Sequence, residues 1–297
     1  MNFWRLECFV ALAEELHFGR AARKLHISQP ALSQQVKQLE NDLGVSLVNR
    51  EKEITLTSAG QTLHLEGAKL LRAAADMVEA VKASSNVIDG ELSIHYGRSL
   101  PADIGVKAVL RFREAHPQVE ILSQTMWTSW NLDALRDGIT DVAFVRLPVL
   151  NEPELTTLQL GSSEQYLAML PANPLAAHST VERSAIGGAT LVPWIREDAP
   201  GAWDEVFGAL EREGVVFAPA EPDMQRRLAV AEYLDAVTLV NDFTLHELPG
   251  SLVARPIHPP LMSEFGIAWR RGSRSLLVNR FVETARRVAQ QPDLSIS

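Results

Sequence analysis

A chain of 297 residues with 46% hydrophobic content is long enough for about two globular domains and a sizeable core. Its single cysteine, Cys8, excludes an internal disulfide and fits a reducing compartment, and no stretch approaches the roughly 18 consecutive apolar residues that span a bilayer. The net charge of −9 disfavours sequence-blind binding to nucleic acid, although residues 1–60 hold seven Lys/Arg and seven Asp/Glu, so the remainder carries the whole excess.

The opening MNFWRLECFV has Arg5 and Glu7 inside any apolar run and does not read as a signal peptide, so the expected location is the cytoplasm. Cys8, beside Phe9 on the first helix, reads as a small buried apolar residue rather than a redox sensor. Residues 17–44 then carry the most informative pattern, a helix-turn-helix. A short helix with small residues at Ala21 and Ala22 ends near Leu25, and the turn falls at His26-Ile27. The small pair lets two helices cross closely. Ser28 opens a second helix with Pro30 in its first turn, where a missing N–H costs nothing. Leu32, Val36, Leu39 and Leu43 form one apolar stripe. The opposite face presents side chains able to reach base edges and phosphates in a major groove: Gln29, Ala31, Ser33, Gln34 and Lys37, with Ser28 and Pro30 at the helix start.

The ordered pattern Leu6, Phe9, Ala13-Glu14, Phe18, Ala21-Ala22, Leu25, Ser28-Gln29-Pro30-Ala31-Leu32-Ser33, Gln35-Val36, Leu39-Glu40, Leu43-Gly44-Val45, Leu47, Arg50, Leu56-Thr57 and Ala59-Gly60 resembles the LysR-type family of bacterial transcriptional regulators. The resemblance implies an α/β protein with an N-terminal winged helix-turn-helix, a long linker helix and a two-lobed effector domain like the periplasmic binding proteins. It also implies double-stranded operator DNA and a second copy of the chain as partners, in a dimer or tetramer, with RNA polymerase a candidate partner and no cofactor.

Residues 46–57 are expected to form the wing, shortened at Glu51-Lys52-Glu53, with Arg50 the main phosphate contact and Lys52 the cation at its tip. Arg50 could equally serve in a structural salt bridge. Ser58 to about Ser85 reads as one helix of about 40 Å at ~1.5 Å per residue. Its seam of Leu63, Gly67, Leu70, Ala74, Met77 and Val81 asks for a partner helix, and packing against a second copy is the natural solution. The expected domains are 1–57, a linker and hinge over 58–89, and 90–297.

From Gly90 the pattern turns to strand, helix, strand, helix, strand: Gly90–Gly97, Ile104–Ala115, Val119–Gln124, Leu132–Gly138 and Asp141–Arg146. A second set follows, with strands at Leu155–Leu160, Gln165–Leu170, Thr190–Ile195 and Ala236–Val240, and helices at Trp203–Glu213 and near Arg226–Leu234. Phe265–Arg270 and the helix Leu276–Gln290 bring the chain back. Crossovers near Gly161–Glu164 and Met262–Phe265 divide lobe I, about 90–161 and 265–297, from lobe II, about 162–264.

Ligands of open α/β sheets sit beyond the carboxyl ends of the strands, which selects Ser99, Thr128 and Arg146. Two hydroxyls and a guanidinium suit a small carboxylate. Their spacing resembles the LysR-type regulators that sense muconates or benzoate. Pro200, Ala202, Trp203 and Phe243 could face the cleft from lobe II. The competing uses are helix capping for Ser99 and Thr128, and a surface ion pair with Glu152 or Glu154 for Arg146. No G-x-S-x-G, H-E-x-x-H, Walker or strand-linked G-x-G-x-x-G pattern occurs, and Cys8 has no zinc partners, so an enzyme and a metal site are disfavoured. The rival within DNA binding is a global or nucleoid-type regulator that ignores small molecules.

Overall fold

The computed structural model describes residues 2–49, 54–83, 90–98 and 100–290. Arg50, Lys52, Ser99 and most of the expected hinge lie outside the described residues. The chain divides into two compact units, one ending with the long helix and one beginning at the first strand after it.

In the N-terminal unit α1 (Phe3–Glu15), α2 (Phe18–Lys24) and α3 (Gln29–Leu43) are each started by a side-chain cap. Asn2 accepts from the Trp4 N–H, and the His17 Nδ1 accepts from the N–H groups of Gly19 and Arg20. The Ser28 hydroxyl accepts from Ala31 N–H at 3.3 Å, which satisfies one of the free donors of a helix start. Leu6, Phe9, Leu12, Ala21, Leu32, Val36 and Leu39 close the core. Leu43, expected in that stripe, is exposed at 41%, because the last turn of α3 extends past the core before Gly44 turns left-handed at φ 70°. The wing strands β1 (Val48–Asn49) and β2 (Thr55–Leu56) pair antiparallel. Glu40 ties α3 to this wing by accepting from the N–H groups of Leu47 and Val48 at 2.8 and 3.3 Å.

Helix α4 (Ser58–Ala83) follows, and its first half packs on the same core through Leu63, Ala68 and Leu71. Gly67 lies against Leu6 and Val10 of α1. The placement of Leu63 in an intermolecular seam is therefore corrected: it serves its own unit. Leu70, Met77 and Val81 are exposed and Ala74 is half-buried.

The second unit is built on one mixed sheet. In chain order the elements are β3 (Gly90–Gly97), α5 (Ala102–Ala115), β4 (Val119–Met126), α6 (Thr128–Arg136), β5 (Val142–Leu147), β6 (Leu155–Met169), β7 (Val181–Glu182), β8 (Thr190–Val192), α7 (Pro200–Glu211), β9 (Val216–Phe217), α8 (Met224–Leu234), β10 (Val237–Asn241), β11 (Val253–Arg270) and α9 (Leu276–Gln290). The sheet order is β4-β3-β5-β11-β6-β10-β8-β9, with β7 beside β11. Strands β3, β4 and β5 are parallel, as are β8, β9 and β10, so each lobe keeps a parallel half-sheet.

The two expected crossovers are not loops. Strands β6 and β11 run unbroken through both lobes, antiparallel from Leu155↔Arg270 to Met169↔Val253. Gly161, Ser162, Ser163 and Glu164 pair with Phe265, Glu264, Ser263 and Met262, so the crossovers face each other across one ladder. The prolines at 256, 259 and 260 fall in a register shift between Pro256 and Leu261, which is how a long strand tolerates residues without a donor. Lobe I packs Phe112, Phe144 and Phe281 around Leu92 and Ile94; lobe II packs Trp194, Phe207 and Leu210 around Leu191 and Leu239.

Candidate functional site

On α3 the buried Leu32, Val36 and Leu39 fix the helix rotation, and this leaves Gln29, Pro30, Gln34 and Lys37 exposed with Ala31 and Ser33 half-buried. The Ser28 hydroxyl is engaged as the helix cap. The N-terminal half of the helix thus offers amides, a hydroxyl and an ammonium on one accessible face. On α2, Arg20 pairs with Glu15 and Lys24 with Glu14 at 2.9 and 2.8 Å.

The effector candidates converge at the end of β5. Thr128 is the first residue of α6, and its hydroxyl oxygen accepts from the backbone N–H of Arg146 at 3.2 Å. The Arg146 side chain turns inward and is 8% exposed. Its Nη1 donates to Ser263 Oγ at 3.1 Å, and its guanidinium carbon lies 4.8 Å from the centroid of the Trp194 ring. Glu152 pairs with Arg136. Ser263 stands at the crossover: its carbonyl accepts from Ser163 Oγ, which also contacts Asn241 Oδ1, and the Gln165 amide donates to that same oxygen. The guanidinium is thereby joined to the ladder that connects the lobes.

From lobe II, Arg227 on α8 reaches the same ring, 6.0 Å from its centroid. Burial pushes both guanidinium pKa values down to about 10, and for Arg227 the positive charge of Arg146 adds to the effect while Asp223 opposes it. Both remain charged at neutral pH. A gap of about 20 Å³ lies between them, also lined by Thr128, Trp127, Arg98 and Asp198. Burial, then the negative charge of Glu197, raises the Asp198 carboxyl above its usual value. The gap shares Arg98 and Arg227 with a chamber of about 660 Å³ that includes Phe243, and Thr128, Arg146 and Ala199 with one of about 340 Å³ that includes Pro200.

Two expectations are corrected. Ala202 is 1% exposed inside lobe II, and the Trp203 indole donates to the Trp194 carbonyl at 3.1 Å while its ring packs on Phe207 and Phe217. The cleft's tryptophan is Trp194. Sequence reasoning also missed Arg227, Asp198 and Ser263. Trp194 lies just past β8, so the strand-end rule applied to lobe II would have found it; Ser263 sits within the expected crossover.

Residues 3–61 match the model of the bacterial regulatory helix-turn-helix proteins of the lysR family, and residues 85–290 match the LysR substrate binding domain. The chain belongs to the LysR family. It is a DNA-binding transcriptional regulator with an effector-binding domain, not an enzyme. The HTH-type transcriptional regulator BudR of Raoultella terrigena is 29% identical over 295 residues, covering 95% of this chain and 99% of BudR. The Hca operon transcriptional activator HcaR of Escherichia coli is 34% identical over 197 residues, 65% of this chain and 64% of HcaR. Among LysR-family structures, full-length OxyR from Pseudomonas aeruginosa superimposes with a TM-score of 0.73 at 25% identity, covering 98% of this chain and 95% of that one. CbnR in complex with its target DNA gives 0.65 at 25% identity, covering 97% and 99%. Among the described residues no helix is long and apolar enough to cross a membrane.

Proposed function

We propose that this LysR-family regulator reads its operator with the exposed face of α3 as a homodimer or dimer of dimers, and that a small carboxylate bound between the lobes of the second unit sets its output. The observation that carries the effector reading is the buried Arg146, hydrogen-bonded to the crossover through Ser263 and held at its backbone by Thr128. A regulator blind to small molecules has no use for a desolvated guanidinium in a cleft. A carboxylate there accepts two parallel N–H bonds. It shifts the lobes only as far as it binds one orientation better than another.

The effector reading is tested with Arg146→Ala. Operator affinity should stay within a few fold of wild type, whereas the response of the DNase footprint to aromatic acids and muconate-like diacids should vanish. A variant that responds as the wild type does removes Arg146 from the site.

On the DNA side, Gln34→Ala should relax base preference at one operator position, at a cost of about 1–3 kcal/mol for a lost bidentate contact. Lys37→Ala should weaken binding evenly across sequences and reduce the slope of log affinity against log salt by about one phosphate contact. Fluorescence anisotropy with the native operator and single-base variants, at several salt concentrations, separates the two. Unchanged binding in both variants excludes α3 as the reader.

A further inference from the structure

We infer that Arg227 is a second anchor for the effector, gripping from lobe II the same anionic head group that Arg146 grips from lobe I, and that the effector is a monocarboxylate with an uncharged body. This rests on the carboxylate reading above. Arg227 is 4% exposed, and its Nε has no hydrogen-bond partner; the Trp194 Nε1, in the same gap, has none either. Buried charged donors are costly to leave without acceptors, so two of them at one cavity point to an acceptor that arrives from outside. Asp198 is the one acid lining the gap among its described residues, against the guanidiniums of Arg98, Arg146 and Arg227.

The size of the gap sets the chemistry. About 20 Å³ holds one group the size of a water or a carboxylate head, not a ring or a chain. The rest of the ligand must lie in an adjoining chamber. The larger chamber offers Leu100, Met224 and Phe243 to an uncharged body, but Asp103, Asp223 and Glu247 outnumber its two guanidiniums and repel a second carboxylate. In the smaller chamber Arg136 is taken by Asp133 and Glu152, and Arg196 by Asp204. One negative charge is accommodated and a second is not. Held between the lobes, that charge cancels the repulsion of the two guanidiniums and favours the closed orientation, which couples binding to lobe movement.

The test titrates the full-length chain by calorimetry with sodium acetate, sodium benzoate and disodium cis,cis-muconate, for wild type, Arg146→Gln, Arg227→Gln, both together, and the exposed neighbour Arg226→Gln. Acetate or benzoate should bind the wild type more tightly than muconate. Each buried-arginine variant should weaken binding at least tenfold, and the double variant should lose less than the product of the two, because both grip one head group. Arg226→Gln should bind as the wild type does. Thermal melting adds a reading that a purely structural arginine would not give: ligand-free Arg227→Met should melt above wild type, since a cation kept for a ligand is a burden to the empty cleft. Tighter muconate binding, unchanged affinity in Arg227→Gln, or a lower melting point for Arg227→Met overturns the clamp while leaving the carboxylate reading in place. Failure of all three acids to bind the wild type overturns both.

Discussion

Replacing Gly60 with alanine is expected to lower the melting temperature of the N-terminal unit by roughly 10–20 °C and to abolish operator binding at physiological temperature. Gly60 is buried in the first turn of α4, where the helix backs onto the strand entering the wing. A Cβ there would stand 2.0 Å from the carbonyl oxygen of Leu47, a backbone atom that cannot rotate aside. That oxygen also accepts the Thr57 N–H at 3.0 Å, and the Thr57 hydroxyl donates to the Ser46 carbonyl at 2.7 Å. Moving Leu47 therefore strains the junction of wing and helix. The cost is about 3 kcal/mol, large for a unit of this size. Gly208→Ala is the control: it lies inside α7 with only Arg212 Nη1 near, at 3.8 Å, and should stabilise its unit by about 0.5–1 kcal/mol through helix propensity. Differential scanning calorimetry of both variants decides. A Gly60→Ala protein that melts with the wild type shows that the close approach is not maintained in solution.

The second large effect is expected from Leu70→Glu combined with Met77→Glu. Leu70 is 39% exposed and Met77 63% exposed, so neither holds its own unit together. Beyond Leu71 the helix carries Ala74, Met77, Val78 and Val81 with no part in the N-terminal core. Such a stripe is covered by a second copy of the helix, and two heads on one assembly bind two half-sites together. The double variant should keep its helicity by circular dichroism, run as a monomer in light scattering, and bind the operator about a hundredfold or more weakly, because linked binding is lost. A folded, dimeric variant with a normal footprint places the interface elsewhere.

The helix-turn-helix was legible because short-range rules dominate it: a cap at Ser28, a proline in the first turn and small residues at Ala21 and Ala22 act within a few positions. The lobes were legible in outline for the same reason. Strands β6 and β11 were not, because Gly161, Gly266 and the prolines at 256, 259 and 260 look like strand ends locally, and only pairing with a partner more than ninety residues away keeps the strands continuous. Gly161 persists there because the Phe265 ring lies where its Cβ would be. Arg226 and Arg227 show the limit most clearly. As neighbours in sequence they are alike, yet Arg226 is exposed and pairs with Glu221 at 2.8 Å, while Arg227 is buried in the cleft. Which of two adjacent arginines faces inward depends on the packing of α8, which no local pattern encodes. Leu63 shows the reverse case, where a correct helical period was assigned to the wrong partner.

The interleaving of the two lobes also sets the order in which the protein can be finished during synthesis. Phe112 and Phe144 reach their full packing only against Phe281 of α9, with ring centroids 5.5 and 6.4 Å apart. At about 5–20 residues per second, the ribosome delivers Phe281 on the order of ten seconds after Phe144. The operator-reading head is complete long before, so the nascent chain carries a finished head tethered to an unfinished sensor. A message truncated before α9 would yield a protein competent to occupy operators and unable to hear its signal, and dominant interference by such fragments is the cellular cost of the arrangement.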